Sequence, residues 1–339
     1  MKDENLSSQT QFGLCCLRIL ATFSVIIIHV SGPLVVKFNE ISFLDWNVAN
    51  FFDSISRYSV PIFFMISGAL LLNKDYSLKS FFGKRLGKIL PPFLIWSIIY
   101  SVFNRYIFKE EPFNIIKIIK DVFYGAEYHL WFIYTLLGVY LTVPILRKWI
   151  KDATVKEMRY VLIIWFLTLI LTIPNLKVYF FKIDLSFFSG FIGYFILGYY
   201  LSLFKFRKIV SVSLIVLGNV ITIFGTYYFT AKTSKFYYYF YEYLCVNAFL
   251  VSSGIFMFFN KMVTPSKKVN SIAQRLNQAT FGIYLIHPLM LTMFKLINFD
   301  TEITTPVISI LLVGLSCFIL CFAFVFLFKK LKYSEIIIG

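Results

Sequence analysis

The sequence predicts an all-α, polytopic membrane protein, and three observations lead to that class. Hydrophobic residues make up 59% of the 339 residues and charged residues only 15%, against about 25% charged in an ordinary soluble domain. The mean hydropathy is +0.76. The apolar residues lie in long runs rather than alternating with polar ones, which favours helices over a β-barrel. Together these exclude a soluble enzyme, a disordered tail and a secreted disulfide scaffold.

Ten segments are long and apolar enough to be candidate spans, since a bilayer core needs about 20 helical residues. They form one predicted membrane domain over residues 1–339. The fifth candidate is the shortest. The candidates are 13–36, 52–72, 89–108, 129–147, 160–174, 187–204, 209–229, 240–259, 280–298 and 304–328.

The charge pattern predicts that both termini are cytoplasmic. With that orientation the inner segments hold 21 basic and 6 acidic residues, whereas the outer segments hold 11 of each. This asymmetry follows the positive-inside rule and accounts for almost the whole net charge of +16, so we expect no nucleic-acid partner. The five cysteines all lie in apolar runs without ligand spacing, and we expect buried thiols and no metal.

The first span carries the most informative polar pair, Arg18 and His29. A cation inside a span costs about 2.5–3.5 kcal/mol on insertion scales, so Arg18 either snorkels to the headgroups or forms an anion site. Eleven helical residues make three turns, which puts both side chains on one face about 16 Å apart. His29 is therefore predicted in the outer half of the bilayer, as a structural histidine or as a titratable base.

Two further histidines lie in apolar surroundings. His129 begins the fourth span two residues after Glu127, and we expect it to line one cavity with His29. His287 is predicted about two turns from the cytoplasmic side. Pro288 follows it and frees a backbone carbonyl four residues back, so His287 either stabilises the kink or lines the cavity.

Three other segments carry specific expectations. Arg85 and Lys88, before the third span, are either ordinary cytoplasmic charge or a phosphate clamp that acts with Arg18. Residues 109–128 predict an amphipathic helix at the outer interface, with Lys117, Lys120 and Asp121 on its polar face. The aromatic tract 236–243 (FYYYFYEY) is typical of an interfacial belt, with a sugar-stacking platform as the alternative.

At these residues the chain resembles the integral-membrane acyltransferase 3 family. The motifs occur in order over most of the chain: Arg18 and His29 with ten residues between them, VPIFFMISGALLL at 60–72, FFGKRLGKILPPF at 81–93, YHLWFIYTLLGVYLTVPILR at 128–147 and TFGIYLIHPLM at 280–290. The resemblance implies ten helices and transfer of an acetyl or related acyl group from cytosolic acyl-CoA to a hydroxyl of a surface or lipid-linked carbohydrate. It also implies that the protein lies in the plasma membrane of a bacterium and that its partners are acyl-CoA, the carbohydrate and membrane lipids.

Residue by residue, the resemblance carries over to few positions. Arg18 and His29 match the essential pair of the family, and Arg85 matches the basic residue before the third span. His129 and Trp131 match the HLWF motif, and the YLIH motif falls on Tyr284 and His287.

As a hypothesis, the phosphates of acyl-CoA bind Arg18, Arg85 and Lys88, and the narrow pantetheine arm extends along the face towards His29. Tyr284 and His287 are placed with the donor-binding residues. His29 is the general base or carries the acyl group itself, with His129 nearby and Glu127 as a residue that could orient the ring.

Two other functions fit the sequence. A transporter or flippase for a sugar-lipid or small anion would use the basic stripe and the kinked helices without chemistry. Against a proton-driven transporter, the predicted spans offer no central acidic residue. A non-catalytic scaffold of a polysaccharide assembly complex is the third alternative.

Overall fold

The computed structural model describes residues 8–109, 112–174, 184–260, 262 and 265–339. The protein is 80% helical, and the described ranges contain no strand. The predicted all-α polytopic class is therefore confirmed.

Thirteen α-helices, numbered in chain order, build the described structure, with a π-helical turn and three short 3-10 turns between them. The α-helices are α1 (Ser8–Val35), α2 (Phe43–Ser56), α3 (Ser59–Leu71), α4 (Leu78–Val102), α5 (Ile115–Tyr124), α6 (Trp131–Asp152), α7 (Val155–Leu171), α8 (Ile192–Ser202), α9 (Lys208–Thr233), α10 (Val246–Phe259), α11 (Lys267–Leu296), α12 (Pro306–Phe328) and α13 (Ser334–Ile338). The π-helical turn is Phe103–Phe108, and the 3-10 turns are Tyr128–Leu130, Ser186–Phe188 and Tyr238–Tyr241.

Eight segments of the described chain are long and apolar enough to cross a bilayer. One of them, Phe43–Leu71, combines α2 and α3 into a single 29-residue stretch. The predicted spans 160–174 and 187–204 fall on α7 and α8, which have 17 and 11 residues. Both are shorter than the roughly 20 residues that a straight span needs, so the count of ten and the orientation stay predictions.

Helix α1 lies at the centre of the bundle and contacts α2, α3, α11 and α12. Its Leu17, Ala21 and Ile26 are fully buried. Helices α3 and α8 cross in close contact at two glycines. A Cβ on Gly68 of α3 or on Gly198 of α8 would overlap the backbone of the other helix. The small residues thus allow α3 and α8 to approach closely, as is typical of helix contacts in membranes.

Helices α1 and α11 run parallel in matching register. Arg18 of α1 donates to Asn277 of α11 at 3.1 Å, and eleven residues later the His29 ring stacks on His287. The two contacts lie about 16 Å apart along the axes. The predicted shallow position of His287 is therefore wrong: α11 begins at Lys267, well before the predicted span, and His287 lies at the depth of His29.

The amphipathic helix predicted within 109–128 is α5. Its Ile115, Ile119 and Phe123 are exposed, as an interfacial helix requires, although its position at the outer surface stays a prediction. Asp121 does not lie on an outward polar face, because it accepts two hydrogen bonds from Arg105 at 2.6 and 2.7 Å. This ion pair holds α5 against the end of α4.

Candidate active site

The three histidines of the chain come together in one cluster. The rings of His29 and His287 stack with centroids 5.2 Å apart and planes 24° apart, and the His129 ring lies edge-on to His287 at 5.3 Å. They come from α1, from the turn Tyr128–Leu130 before α6, and from α11. The expectation that His29 and His129 line one cavity is confirmed.

Pro288 determines the hydrogen bonding of His287. Because proline has no N–H, the carbonyl of Tyr284 loses its helical partner. The Nδ1 atom of His287 lies 2.7 Å from that carbonyl oxygen and must donate to it, since the carbonyl can only accept. His287 therefore stabilises the kink at Pro288, which was one of its two predicted roles. It also lies in the histidine cluster. Its Nε2 atom is buried and makes no hydrogen bond to any described residue.

Tyrosines hold the rest of the cluster in place. Tyr284 donates its hydroxyl to the backbone carbonyl of His129, which ties α11 to the turn before α6. Tyr100 of α4 donates to the carbonyl of Leu285 at 2.7 Å and packs its ring edge-on against His129 at 5.2 Å. Tyr128 covers His29 with ring centroids 4.8 Å apart and remains more than half exposed. Tyr100 and Tyr128 were not found by sequence reasoning.

His129 is buried, and neither ring nitrogen makes a well-formed hydrogen bond within the described part of the chain. Glu127 lies close by, but its carboxylate accepts from Asn104 Nδ2 at 2.6 Å and from the Tyr128 N–H at 3.2 Å. The glutamate thus fixes the turn that carries His129. Its predicted role in orienting an imidazole stays a prediction.

A small cavity of about 30 Å³ opens at His29 and is walled by His129, Tyr284, Trp131 and Tyr243 among others. This volume holds about one or two water molecules. A second cavity of about 440 Å³ lies next to it and shares the walls Trp131 and Tyr243. Five residues of the tract 236–243 line this larger space: the aromatic residues Phe236, Tyr238, Tyr241 and Tyr243, and Glu242.

A buried ion pair that the sequence reasoning missed lies beside the larger cavity. Asp53 of α2 is fully buried and accepts from Arg57 Nε at 2.5 Å, and Ser31 of α1 also donates to it at 3.2 Å. Asp53 and Arg57 both lie well inside the candidate span Phe43–Leu71, so the expectation that the spans offer no central acidic residue is wrong. Aspartate and arginine four residues apart within an apolar stretch were the signal, because that spacing places them on one helix face.

The donor-binding cluster predicted at the cytoplasmic end is partly assembled. Arg18 is partly buried, and its hydrogen bond to Asn277 directs it at α11 rather than at lipid, which argues against simple snorkelling. Arg85 lies within electrostatic range of Arg18, and Lys88 within range of Lys329. Tyr284 and His287, which were grouped with these residues, lie instead at the histidine cluster.

The helix face between Arg18 and the histidines is packed. Ala21 and Thr22 are 0% and 2% exposed, and Thr22 bonds back to the Arg18 carbonyl at 2.8 Å. The small cavity reaches down only to Val25. A ligand that extends from Arg18 to His29 therefore requires these helices to separate locally.

Comparison with known proteins gives one finding. A family model described as an acyltransferase domain matches residues 12–326, nearly the whole chain. Neither the curated proteins nor the solved structures give a significant match. In the described ranges no group of three or more His, Cys, Asp or Glu side chains is arranged to hold a metal ion.

Proposed function

Because the chain belongs to this family of multi-pass membrane acyltransferases, we propose that it transfers an acetyl or similar acyl group from cytosolic acyl-CoA to a hydroxyl of a cell-surface or lipid-linked carbohydrate in a bacterial plasma membrane. The observation that carries the proposal is His29, which is partly buried and walls a cavity three helical turns above Arg18 on the same helix. Neither metal nor prosthetic group is needed for this chemistry.

The cytoplasmic end supports the choice of donor. Coenzyme A carries several phosphate charges, and Arg18, Arg85, Lys88 and Lys329 supply basic groups near one another. A guanidinium forks onto phosphate oxygens, and Arg18 is held for such contact by its hydrogen bond to Asn277. The narrow pantetheine arm would then enter between α1 and α11, and local separation at Thr22 would let the thioester reach the histidines.

The cluster supports a general-base step at His29. The acceptor oxygen forms a bond to the thioester carbonyl carbon while the carbon–sulfur bond breaks. His29 takes the hydroxyl proton, and the coenzyme A thiolate leaves and is protonated in turn. A two-step route, in which a His29 nitrogen carries the acyl group before the acceptor attacks, uses the same groups.

His287 supports this step by position. With its Nδ1–H committed to the Tyr284 carbonyl, its ring holds one tautomer, and its flat face packs against His29. The stacking limits rotation of the His29 ring, which favours a fixed direction for proton transfer. We assign His287 and His129 as positioning residues and keep His29 as the catalytic base.

Transport of a sugar-lipid or small anion without chemistry is the second candidate. The buried Asp53 favours it, since membrane transporters use acidic residues at depth. However, Asp53 is already paired with Arg57 and bonded to Ser31, an arrangement typical of a fixed structural charge.

The deciding experiment is acyl transfer by the purified full chain in lipid nanodiscs, with acetyl-CoA labelled in the acetyl group and a lipid and polysaccharide extract of the host as acceptor. We expect the label to move onto carbohydrate, and His29→Gln to reduce the rate by about 10²-fold or more. Phe23→Leu, a change on another part of α1, is the matched control and should retain the rate.

The outcomes separate the candidates. Label that stays on the thioester while the extract's glycolipid crosses the bilayer of a proteoliposome supports transport instead. A His29→Gln variant with the rate of the unmodified protein refutes the assignment of the base.

A further inference from the structure

The larger cavity has walls that point to a specific ligand class. Its volume of about 440 Å³ falls in the range of small-molecule sites, and it opens beside the histidine cavity through the shared side chains Trp131 and Tyr243. Trp131 and Tyr243 stack with centroids 5.8 Å apart and planes 25° apart, and Phe191 packs beside Trp131. These aromatic faces form an apolar wall that matches the C–H faces of a sugar ring.

The two charged side chains of the same cavity supply a donor, Arg57, and an acceptor, Glu242. The Arg57 guanidinium lies 4.2 Å from the centroid of the Tyr241 ring and donates to the Tyr241 carbonyl and to Asp53. A guanidinium carries five N–H donors, so these partners leave it able to donate to a ligand hydroxyl as well. Glu242 is exposed in the cavity wall and offers a carboxylate acceptor.

Charge selects among sugars. Asp53 neutralises Arg57, so the guanidinium does not require an anionic partner. Glu242 adds a negative charge at the same cavity, which repels a uronate or a sugar phosphate. Hydroxyl groups both donate and accept, and they satisfy Arg57 and Glu242 together.

We propose that this cavity is the acceptor subsite and that it binds a neutral pyranose residue, stacked on Trp131 with a hydroxyl directed into the His29 cavity. This inference rests on the proposed function for its link to acyl transfer, but the binding itself does not. The aromatic tract 236–243 is then a sugar platform rather than only an interfacial belt. Trp131 is a substrate-contacting residue, and Arg57 and Glu242 determine specificity.

The test measures binding in the absence of acyl-CoA. The full chain in phosphatidylcholine nanodiscs is titrated with methyl β-D-glucopyranoside, with its galactose and N-acetylglucosamine counterparts, and with methyl β-D-glucuronide, and saturation-transfer NMR reports contact. We expect the neutral glycosides to bind and the glucuronide to bind about tenfold more weakly. Trp131→Ala should weaken the neutral glycosides about tenfold, whereas Trp149→Ala, a tryptophan at the other end of α6, should not.

Glu242→Gln tests the selection by charge, because it keeps an acceptor oxygen and removes the negative charge. It should raise the affinity for the glucuronide relative to the affinity for the glucoside about tenfold, so that the two bind almost equally. No contact from any neutral glycoside, equal effects of the two tryptophan changes, or a glucuronide bound as tightly as the glucoside by the unmodified chain would each overturn the proposal. Binding without acyl transfer would retain the subsite and refute the proposed function. Acyl transfer without glycoside binding would refute the subsite and retain the proposed function.

Discussion

Replacing Asp53 with alanine leaves the buried cation Arg57 without its acidic partner. In Asp53→Ala the Arg57 guanidinium loses the partner of its Nε and Nη2 groups, and the Ser31 hydroxyl loses one acceptor. Among the described residues, the Tyr241 carbonyl at 3.3 Å and the Tyr241 and Tyr243 side chains remain as partners for Arg57. The Asp53 side chain is 0% exposed and that of Arg57 is 17% exposed, so water replaces little of what is lost.

The expected size follows from this geometry. Breaking a buried pair by removing one partner costs about 3–5 kcal/mol, because the remaining charge stays desolvated. Replacing both charges with apolar side chains of similar volume is often neutral. Asp53→Ala should therefore destabilise the protein by about 3 kcal/mol or more, and the double variant Asp53→Ala/Arg57→Leu by less than about 2 kcal/mol. The pair then has a coupling energy that a double-mutant cycle can measure.

The assay is reversible unfolding of the purified protein in mixed micelles, followed by tryptophan fluorescence. Asp45→Ala is the matched control: Asp45 lies in the first turn of the same helix, is partly exposed, and its carboxylate accepts from the Ser42 hydroxyl at 2.7 Å. We expect it to cost about 1 kcal/mol or less. If Asp53→Ala costs no more than Asp45→Ala, or if the double variant equals the sum of the single variants, the pair is not a structural element. In a stable double variant, the affinity for neutral glycosides should still fall, because Arg57 walls the cavity.

Three further predictions concern other parts of the chain. Arg18→Lys should weaken acetyl-CoA binding about tenfold in titration calorimetry, since an ammonium cannot fork onto phosphate; unchanged affinity would remove Arg18 from the donor site. The Arg105 fork lowers the pKa of Asp121, so the pair stabilises α5 above the ordinary carboxyl pKa of about 4 and is lost as the pH falls through the lowered value. The hydrogen-exchange protection factors of the α5 amides should fall in acid, whereas in Asp121→Asn they should be low at every pH, and a wild-type protein whose protection factors do not change with pH would contradict the assignment. Gly198→Ala should destabilise by about 1–3 kcal/mol in thermal unfolding, because its Cβ overlaps the Met65 carbonyl of α3; a neutral result would show that α8 can shift.

The sequence was sufficient to predict that His29 and His129 lie at one depth, but it was insufficient to predict the depth of His287. The position of His29 near the end of one span and of His129 at the start of another fixes both at one depth whenever the spans alternate. The depth of His287 depends on where α11 begins, and polar residues from Lys267 onward lengthen that helix without adding to an apolar window. A run of apolar residues shows which part of a helix contacts lipid. The length of the helix depends on backbone hydrogen bonds, which polar residues also form.

The Asp53–Arg57 pair was missed for a related reason. A charged residue near the end of an apolar run is ordinarily assigned to a loop, and each member of the pair alone would be costly inside a span. Four-residue spacing on α2 brings the charges together and cancels much of that cost. The larger cavity could not be predicted either, because its walls are far apart in the sequence: Arg57 after α2, Trp131 of α6, Phe191 before α8 and residues 236–244.

Pro288 connects the architecture of α11 to the position of the His29 ring. In an unbroken helix the Tyr284 carbonyl would accept from the backbone of residue 288, and the His287 ring would have no local acceptor for Nδ1–H. The proline removes that competitor, so the carbonyl binds the ring, fixes its tautomer and holds it flat against His29. The Tyr284 hydroxyl meanwhile binds the His129 carbonyl, so a single turn of α11 positions all three histidines. The backbone hydrogen bond that Pro288 removes is thus replaced by one that orders the histidine cluster, at the most buried histidine of the three.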